Sequence, residues 1–365
     1  MEIKPYVEAD IRDVQDFNAR LKVAQVPSQF PENHVPRQLR KTDDSTLYRE
    51  YFVLRDSDGV HGGYILGHQD FYVKGQVTSI AHYQLPLSEG IIDKRYTVAG
   101  IQLLRDALDK QPLLYALGMG GHQIALPKML KAAKWNFFDV PFLFRINNPI
   151  KFFKNIVVLR TTQTRRLLLD FLALTRFASL PIKLMQRFLT KPTTATSQLT
   201  EGFGTWADEL WDKYKDEYHF SAVRTARILN ALYAENDPRF LRLRICQGPV
   251  TIGWAVVINT QMVGHRQFGN MRIGSIVDCF AHPENAHAVI SCATKFLQKL
   301  NVDLILSNQS HIAWVSALKN AGFLSGPTNF ILAVSPELAS RLQPFEKTVQ
   351  YAHINRGDGD GPIHL

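Results

Sequence analysis

Residues 95–100 combine an arginine, a glycine and the start of a helix, and together these could bind a phosphate group. Arg95 carries a fixed positive charge with several N–H donors, and Gly100 lets a ligand approach the backbone closely. The first N–H groups of a helix have no partner within that helix, so a helix start attracts anions. The sequence therefore predicts an anion-binding site at this point of the chain.

The elements that must position these residues are a strand, a polar turn and a helix. Residues 77–85 are rich in β-forming side chains, and Pro86 ends the run. The turn Ser88-Glu89-Gly90 follows, and from Tyr96 to Leu108 apolar residues recur at helical spacing. The predicted order is strand, loop and helix.

At these residues the sequence resembles the GNAT superfamily of N-acetyltransferases. The acetyl-CoA signature of that family reads (Gln/Arg)-x-x-Gly-x-(Gly/Ala)-x-x-Leu and follows its fourth strand. Arg95, Gly100 and Leu103 match this pattern, whereas Val98 replaces the first glycine, and the loop that starts at Pro86 is longer than the family's loop. The resemblance implies acetyl-CoA as the cosubstrate.

The resemblance also implies a set of site residues. Acyl transfer from a thioester to an amine needs a base for the amine, a donor for the oxyanion and an acid for the leaving thiolate. By resemblance, a backbone N–H near residues 83–85 meets the oxyanion, Glu89 or His82 takes the proton of the amine, and His122 protonates the thiolate. The residues implied to contact the cofactor are Tyr83, Gln84, Leu85, Arg95, Tyr96, Thr97, Val98, Ala99 and Gly100.

The order of elements over residues 1–148 matches the GNAT fold. A strand that starts near Ile3 and a helix with Asp10 as its N-cap lead into three antiparallel strands between residues 48 and 85. A helix, a strand at 113–117, a second helix and a closing strand at Val140–Ile146 complete the predicted order.

Short similarities between the two halves indicate an internal duplication. LKAAKW at Leu130–Trp135 resembles LKNAGF at Leu318–Phe323, and strand–turn–strand units occur at Glu50–Leu66 and Arg242–Val257. The second copy is predicted to run from about residue 200 to 342. After its expected fourth strand it has neither the arginine nor the glycines, so we expect this half to have lost cofactor binding and to act as a scaffold or to bind the acceptor.

The segment between the halves is strongly basic. Residues 151–191 carry nine lysines and arginines against one acid, Asp170, and this accounts for most of the whole-chain net charge of +9. Apolar clusters alternate with the charges, and Pro181 is expected to divide the segment into two helices. One interpretation is an amphipathic surface for an anionic membrane; the other is that the apolar sides pack on the two domains. Residues 190–200 are expected to be a flexible linker.

The predicted fold class is α+β with mixed sheets, in two GNAT-like domains joined by a basic helical linker. The predicted domains are an acetyl-CoA-binding domain at 1–150, the linker at 151–200, a degenerate domain at 201–345 and a flexible tail at 346–365. Composition is consistent with a cytoplasmic protein, because the three cysteines have no metal-ligand spacing and the N-terminus lacks a secretory signal pattern. No metal and no nucleic acid are expected.

These observations predict an acetyl-CoA-dependent N-acyltransferase. By resemblance, the acceptor is an amine of a small molecule or sugar, in envelope or exopolysaccharide metabolism, with peripheral contact at the inner membrane face through residues 151–191. Two alternatives stay open. One is a non-catalytic scaffold at a membrane surface, and the other is Fem-type aminoacyl transfer from charged tRNA.

Overall fold

Two mixed β-sheets organise the chain. The structure, a computed structural model, describes residues 1–36, 47–160, 162–175 and 179–359. Unit 1 comprises Met1–Asp139 and Ile331–Glu346, and unit 2 comprises Val140–Phe330 and Lys347–Leu365. No described helix is long and apolar enough to cross a membrane.

The β-forming runs of the sequence become strands of 2 to 15 residues. They are β1 (Glu2–Pro5), β2 (Tyr48–Asp56), β3 (Gly59–Val73), β4 (Gln76–Ser88), β5 (Leu114–Leu117), β6 (Asn136–Asp139), β7 (Phe142–Ile146), β8 (Thr196–Thr200), β9 (Phe220–Ala222), β10 (Leu241–Gln247), β11 (Val250–Gln261), β12 (Arg272–Ala281), β13 (Leu304–Asn308), β14 (Leu324–Gly326), β15 (Ile331–Val334) and β16 (Ala352–His353).

The segments with apolar residues at helical spacing become α-helices. They are α1 (Ile11–Val23), α2 (Ala99–Lys110), α3 (Ala125–Ala132), α4 (Pro149–Asn155), α5 (Gln163–Thr175), α6 (Ser179–Leu189), α7 (Thr205–Tyr214), α8 (Ala226–Leu232), α9 (Ala286–Lys299), α10 (Ile312–Asn320), α11 (Pro336–Arg341) and α12 (Phe345–Gln350).

The sheet of unit 1 has the order β1-β2-β3-β4-β5-β15-β6. The strands from β1 to β4 are antiparallel, β4 and β5 are parallel, and β15 is antiparallel to both of its neighbours. Alternate residues of β2 face opposite sides: Phe52 and Leu54 pack with α2, while Tyr51 and Val53 pack with α1. Helices therefore cover both faces of this sheet.

The sheet of unit 2 repeats the same succession of pairings. Its order is β8-β10-β11-β12-β13-β7-β14. Four antiparallel strands are followed by a parallel neighbour, β13, and then by two strands in antiparallel contact. In each sheet the strand next to the last comes from a distant part of the sequence.

The strand predicted at Val140–Ile146 is present as β7, but it does not close the sheet of unit 1 as predicted. Residues 136–139 form β6 in unit 1, and the chain then enters unit 2 as β7, which pairs with β13 and β14. Pro141 separates the two strands, because proline has no N–H for a ladder. The position between β5 and β6 is filled by β15, from residues 331–334. The two units therefore group residues differently from the predicted domains 1–150 and 201–345.

The predicted flexible linker at 190–200 is wrong in its second half. Residues 196–200 form β8, which pairs with β10 from Thr196 to Thr200. The threonines that made the segment look polar and of low complexity are β-branched, and such residues suit an edge strand. The described part of the basic segment contains the helices α4, α5 and α6, and Pro181 lies within the first turn of α6, where proline is tolerated.

The predicted flexible tail at 346–365 is wrong for residues 346–359. Ala352, Ile354 and Asn355 are fully buried, and Asp358 is nearly so. A buried ion pair to Arg224 holds Asp358 in place. Local glycine content does not report such long-range contacts. Residues 360–365 lie outside the described residues.

Asp10 stands at the N-cap position of α1, but its side chain does not cap the helix. Its carboxylate instead accepts a hydrogen bond from the N–H of Val7 and pairs with Lys4 and Arg55. The two cations compete successfully for the oxygens that a cap would need.

Candidate active site

The strands β4 and β5 pair over two residues and then separate. Ala81 is opposite Leu114 and His82 is opposite Tyr115, and no further pair follows among the described residues. The next backbone donor on β5, the N–H of Leu117, bonds to the ring of His82 instead of to a carbonyl of β4. Among the described residues, the pairing of β4 with β5 therefore ends at this point.

A bulge in β4 widens this separation. The register with β3 shifts between the pairs Ile65–Gln84 and Gly63–Leu87, so β4 carries an extra residue here. Leu85 has a φ of 45°, in the left-handed region that residues other than glycine rarely adopt. Such strained positions cluster at functional sites, where they redirect a strand or a side chain.

A cavity of about 650 Å³ lies beside the end of β4. Its walls come from residues 86–91, from the first turns of α2 and from α3. Most of the lining is aliphatic, including Leu87, Ile101, Leu104, Leu126 and Met129. An aliphatic lining of this kind suits an apolar chain, since burial of apolar area drives such binding.

The start of α2 forms one end of the cavity. The first bond of the helical ladder runs from the N–H of Gln102 to the carbonyl of Val98, 3.0 Å apart. The N–H groups of Ala99, Gly100 and Ile101 precede that ladder, and the helix dipole adds partial positive charge there. Gly100 lines the cavity. The predicted anion-binding helix start is therefore placed at an open cavity.

Arg95 is predicted from the sequence at the anion-binding site, but it is not among the residues that line the cavity. Its side chain is 77% exposed and forms a forked ion pair with Asp93, with Nη2 to Oδ2 at 2.7 Å. The same hydrogen bonds from Arg95 lower the pKa of Asp93. Binding a phosphate through Arg95 requires this exposed pair to open.

Glu89 is the centre of a buried charged network. Its carboxylate accepts hydrogen bonds from Arg20 and lies 2.5 Å from Nδ1 of His61. The other ring nitrogen of His61, Nε2, is 2.9 Å from Asp56, and the ring stacks on Tyr96 at 4.1 Å. Both oxygens of Glu89 are therefore engaged. The neighbours Ser88 and Gly90 line the cavity, whereas Glu89 does not.

His82 is buried on the opposite side of β4 from Tyr83. Its Nε2 accepts the N–H of Leu117 at 3.3 Å, its Nδ1 lies 2.8 Å from the amide of Gln84, and its ring stacks on Tyr115. An imidazole that accepts through Nε2 is neutral, with its proton on Nδ1. The amide of Gln84 then presents its oxygen to Nδ1, an orientation reached by rotation of the amide.

His122 lies in the loop between β5 and α3. Its side chain is about half exposed, and Nε2 is 2.7 Å from Asp139. It is not among the residues that line the cavity. The three predicted proton-transfer residues thus occupy three different environments: an ion network, a strand junction and a surface loop.

The residues implied to contact the cofactor also divide into groups. Thr97 and Gly100 line the cavity, and Val98 lies half-exposed at the helix start. Tyr83, Tyr96 and Ala99 are core residues of unit 1. Burial raises the pKa of Tyr83, and its hydroxyl has no partner among the described residues. Arg20 and His61, which contact Glu89, were not predicted as site residues from the sequence. For His61, the available signal was the run His61-Gly62-Gly63 in β3.

The corresponding place in unit 2 is filled by the chain itself. The parallel pairs of β12 and β13 end at Ile276–Ser307. Beyond them, the N–H of Ser310 bonds to the carbonyl of Ile354, and Asn355 pairs with Gln309 and donates to Asp278 at 2.6 Å. The segment 352–358 therefore lies at the position that corresponds, in unit 1, to the place where the pairing of β4 with β5 ends.

A buried ion network fixes that segment. Arg224 is fully buried and pairs with Asp278 and with Asp358, while the hydroxyl of Tyr233 donates to Asp278. Burial raises the pKa of Asp358 to about 6, and Arg224 opposes this rise. A buried charge of this kind is stable only when it is paired and hydrogen-bonded.

The solved structures that are similar in fold include N-acyltransferases. A probable N-acyltransferase from Enterococcus faecalis matches over 94% of this chain and 74% of its own, with a TM-score of 0.52 and 8% identity. N-myristoyltransferase of Saccharomyces cerevisiae, with bound myristoyl-CoA, covers 91% of this chain and 78% of its own, with a TM-score of 0.50 and 12% identity. A GCN5-related N-acetyltransferase from Anabaena variabilis covers 91% and 72%, with a TM-score of 0.52 and 11% identity.

No protein-family model matches the chain, and no curated protein sequence is significantly similar to it. The likeness to solved structures is therefore one of fold. The predicted fold class is confirmed: two mixed sheets with helices, arranged as in the N-acyltransferases of the GNAT type.

Proposed function

We propose that the protein transfers an acyl group from a CoA thioester to an amine of a small molecule or sugar. One observation carries this proposal. The strand β4 leaves β5 after two pairs, and the opening leads to an apolar cavity at the start of α2. Solved N-acyltransferases share the fold, and one of them holds myristoyl-CoA.

Each part of the site suits one part of such a donor. The part of β4 beyond His82, where the pairing with β5 ends, suits the amides of the pantetheine arm. The N–H groups at the start of α2 suit the diphosphate. The aliphatic lining of the cavity suits an alkyl chain, so we propose that acyl groups longer than acetyl bind more tightly than acetyl-CoA.

Proton transfer is assigned to Glu89, His82 and His122 as candidates. Glu89 is one residue from the cavity wall and exchanges protons through His61, with which it shares a hydrogen bond. His82 has both ring nitrogens engaged, which favours a role in holding the strands. His122, in its exposed loop, is open to solvent.

A calorimetric titration tests the donor. Coenzyme A, acetyl-CoA, octanoyl-CoA and myristoyl-CoA are titrated in turn, and affinity is expected to rise with chain length, by up to about fourfold for each fully buried methylene. Equal affinities for all the thioesters would instead identify acetyl-CoA as a sufficient donor. Absence of binding by any CoA thioester would refute the proposal.

The cavity itself is tested by filling it. Met129 lines the cavity, and its sulfur would lie 3.5 Å from a Cβ placed on Gly100. Met129→Trp adds bulk at this wall and is expected to weaken acyl-CoA binding at least tenfold. Lys131→Trp, on the exposed side of the same helix, is the matched control and should leave affinity unchanged. Thiol release in the presence of amine acceptors then measures transfer in both variants.

A further inference from the structure

The helices α5 and α6 of unit 2 expose large apolar side chains to solvent. On α5, Leu167, Phe171 and Leu174 follow one another at helical spacing and are 66%, 54% and 84% exposed. On α6, Leu180, Leu184 and Phe188 are 65%, 44% and 86% exposed. Their spacing of three or four residues places each set on one face of its helix.

The opposite face of each helix is the one that packs on the protein. Among the side chains described on these helices, Leu169 is the buried one on α5 and Gln186 is the buried one on α6. Ile182 packs against the apolar cluster of unit 2 that contains Ile146 and Leu306. The exposed apolar faces therefore point away from the core, contrary to the interpretation in which they pack on the domains.

Positive charge accompanies these faces. Residues 151–191 contain nine basic residues and one acid, Asp170, which is paired with Arg160 at 2.7 Å. Lys183 and Arg187 are exposed and lie between the apolar face of α6 and its buried side. Apolar residues flanked by lysine and arginine on one helix are the pattern of a helix that lies on an anionic bilayer.

A cavity of about 860 Å³ lies beside this flank. Lys183, Gln186, Arg187 and Arg145 line it. Within the described part of the chain, Nε of Arg145 and Nε2 of Gln186 are buried donors without a partner. The carboxylate in the lining, Asp303, already accepts hydrogen bonds from the N–H of Arg272 and from Asn148. The cavity thus offers the positive charge of Lys183, Arg187 and Arg145, as an anionic headgroup requires.

We propose that α5 and α6 dock the protein on an anionic phospholipid surface. The apolar faces enter the boundary between headgroups and acyl chains, and Lys183 and Arg187 contact phosphates at the cavity that they line. The helices have 13 and 11 residues, too short to cross a bilayer, so they lie on its surface.

Charge also decides against a second copy of this chain as the occupant. Two copies that meet through α5 and α6 would bring together two segments with eight excess positive charges each, and these would repel one another. An anionic surface instead gains about 1 kcal/mol for each basic residue at the interface. The inference is independent of the proposed acyl transfer.

Vesicle flotation tests the proposal with the full chain. The protein is mixed with vesicles of phosphatidylcholine alone or of phosphatidylcholine with phosphatidylglycerol. We expect it to float with the anionic vesicles and not with the neutral ones, and the bound fraction should fall as salt increases. Flotation with neither kind, or equally with both, would overturn the proposal.

Two matched pairs of variants locate the surface. Leu174→Ser with Phe188→Ser is expected to weaken binding at least tenfold, whereas Val23→Ser with Val263→Ser, at residues 86% and 82% exposed, should bind like the wild type. Lys183→Gln with Arg187→Gln should weaken binding roughly thirtyfold, and Lys319→Gln with Lys347→Gln should not. If a control double variant lost as much binding as the double variant that it is paired with, the assignment of this surface would be overturned.

Sedimentation equilibrium without lipid tests whether a second copy of the chain binds to the apolar faces of α5 and α6. The wild type should sediment at the same mass as the Leu174→Ser, Phe188→Ser variant. A dimer that this variant dissociates would show that the faces join two copies, and the membrane proposal would be rejected.

Discussion

At the scale of single residues, His82 sets where the sheet of unit 1 opens. Its Nε2 takes the N–H of Leu117, so this donor is satisfied without a carbonyl of β4. The strands can separate there without leaving the N–H of Leu117 unpaired, which would otherwise destabilise the fold. A role in packing alone would not explain the hydrogen bond between His82 and the backbone of Leu117.

Replacing His82 should therefore affect the fold before it affects chemistry. His82→Leu keeps much of the volume but leaves the N–H of Leu117 without an acceptor, at an expected cost of about 1–3 kcal/mol in the free energy of unfolding. His122→Leu is the control, since an exposed ion pair with Asp139 contributes at most about 1 kcal/mol. Urea unfolding measures both variants. Equal, small effects would show that His82 does not hold the junction.

His311 gives the stability of unit 2 a pH dependence. Its Nδ1 accepts the N–H of Ala313 at the start of α10, which only a neutral ring can do. Burial, assisted by His219, lowers its pKa to about 4. The unfolded chain binds this proton near pH 6.5, so the contribution to stability is present above that pH and is lost as pH falls toward 4.

His311→Asn should remove this dependence while keeping a helix cap, because asparagine also accepts a backbone N–H at that position. Between pH 7 and about pH 4.5 the wild type is expected to lose up to about 3 kcal/mol more unfolding free energy than the variant. Urea titrations at several pH values measure the difference. Parallel pH profiles would contradict the neutral, buried state of His311.

At the scale of elements, the segment 352–358 fills a position beside β12 in unit 2, which its local sequence does not predict. Gly-rich residues after Arg356 read as a loose end, yet a short strand, a buried isoleucine and a 3₁₀ turn fill the opening beside β12. Asp358 is one of the two carboxylates, with Asp278, that pair with the buried charge of Arg224. The segment is thus a structural part of unit 2.

Truncating one side chain measures that role. Ile354 is fully buried, and Ile354→Ala should lower the free energy of unfolding by about 2–5 kcal/mol, from lost apolar burial and a residual cavity. Ile312→Ala, at a residue that is 45% exposed, should change it by less than about 0.5 kcal/mol. Thermal melting of the pair provides the measurement, and a harmless Ile354→Ala would mean that the segment is only loosely held.

At the scale of the whole molecule, each sheet depends on a strand from a distant part of the sequence. In unit 1, β15 lies between β5 and β6, and all of Ile331, Leu332, Ala333 and Val334 are buried. In unit 2, β7 occupies the matching position between β13 and β14. Cutting the chain between the predicted domains therefore deprives unit 1 of an inner strand.

Two fragments test this dependence. Residues 1–150 alone should fail to fold, because β5 and β6 would face an empty position and expose the apolar core around Ala333. Residues 1–139 joined by a glycine–serine linker to 331–346 should fold and retain the acyl-CoA affinity of the full chain. Amide proton dispersion and calorimetry report both properties. A folded, binding-competent 1–150 fragment would show that the inner strand is dispensable.

The sequence alone determined the local elements of unit 1. Periods of two and of 3.6 residues marked β2 to β5 and α1 to α3, because apolar side chains must face a core on one side of each element. The polar turn at 88–90 and the glycine of α2 marked the loop and the helix start that border the cavity. These features depend on neighbours along the chain, which a sequence displays directly.

The tertiary structure decided which elements meet. Alternation in Phe142–Ile146 indicates a strand but not its partner, since backbone pairing is the same for any neighbour. The fork of Arg95 with Asp93, the contact of Glu89 with Arg20 and the burial of residues 352–358 likewise depend on distances in space. Long-range pairing, ion networks and exposure arise from the packed molecule, so only its coordinates could locate them.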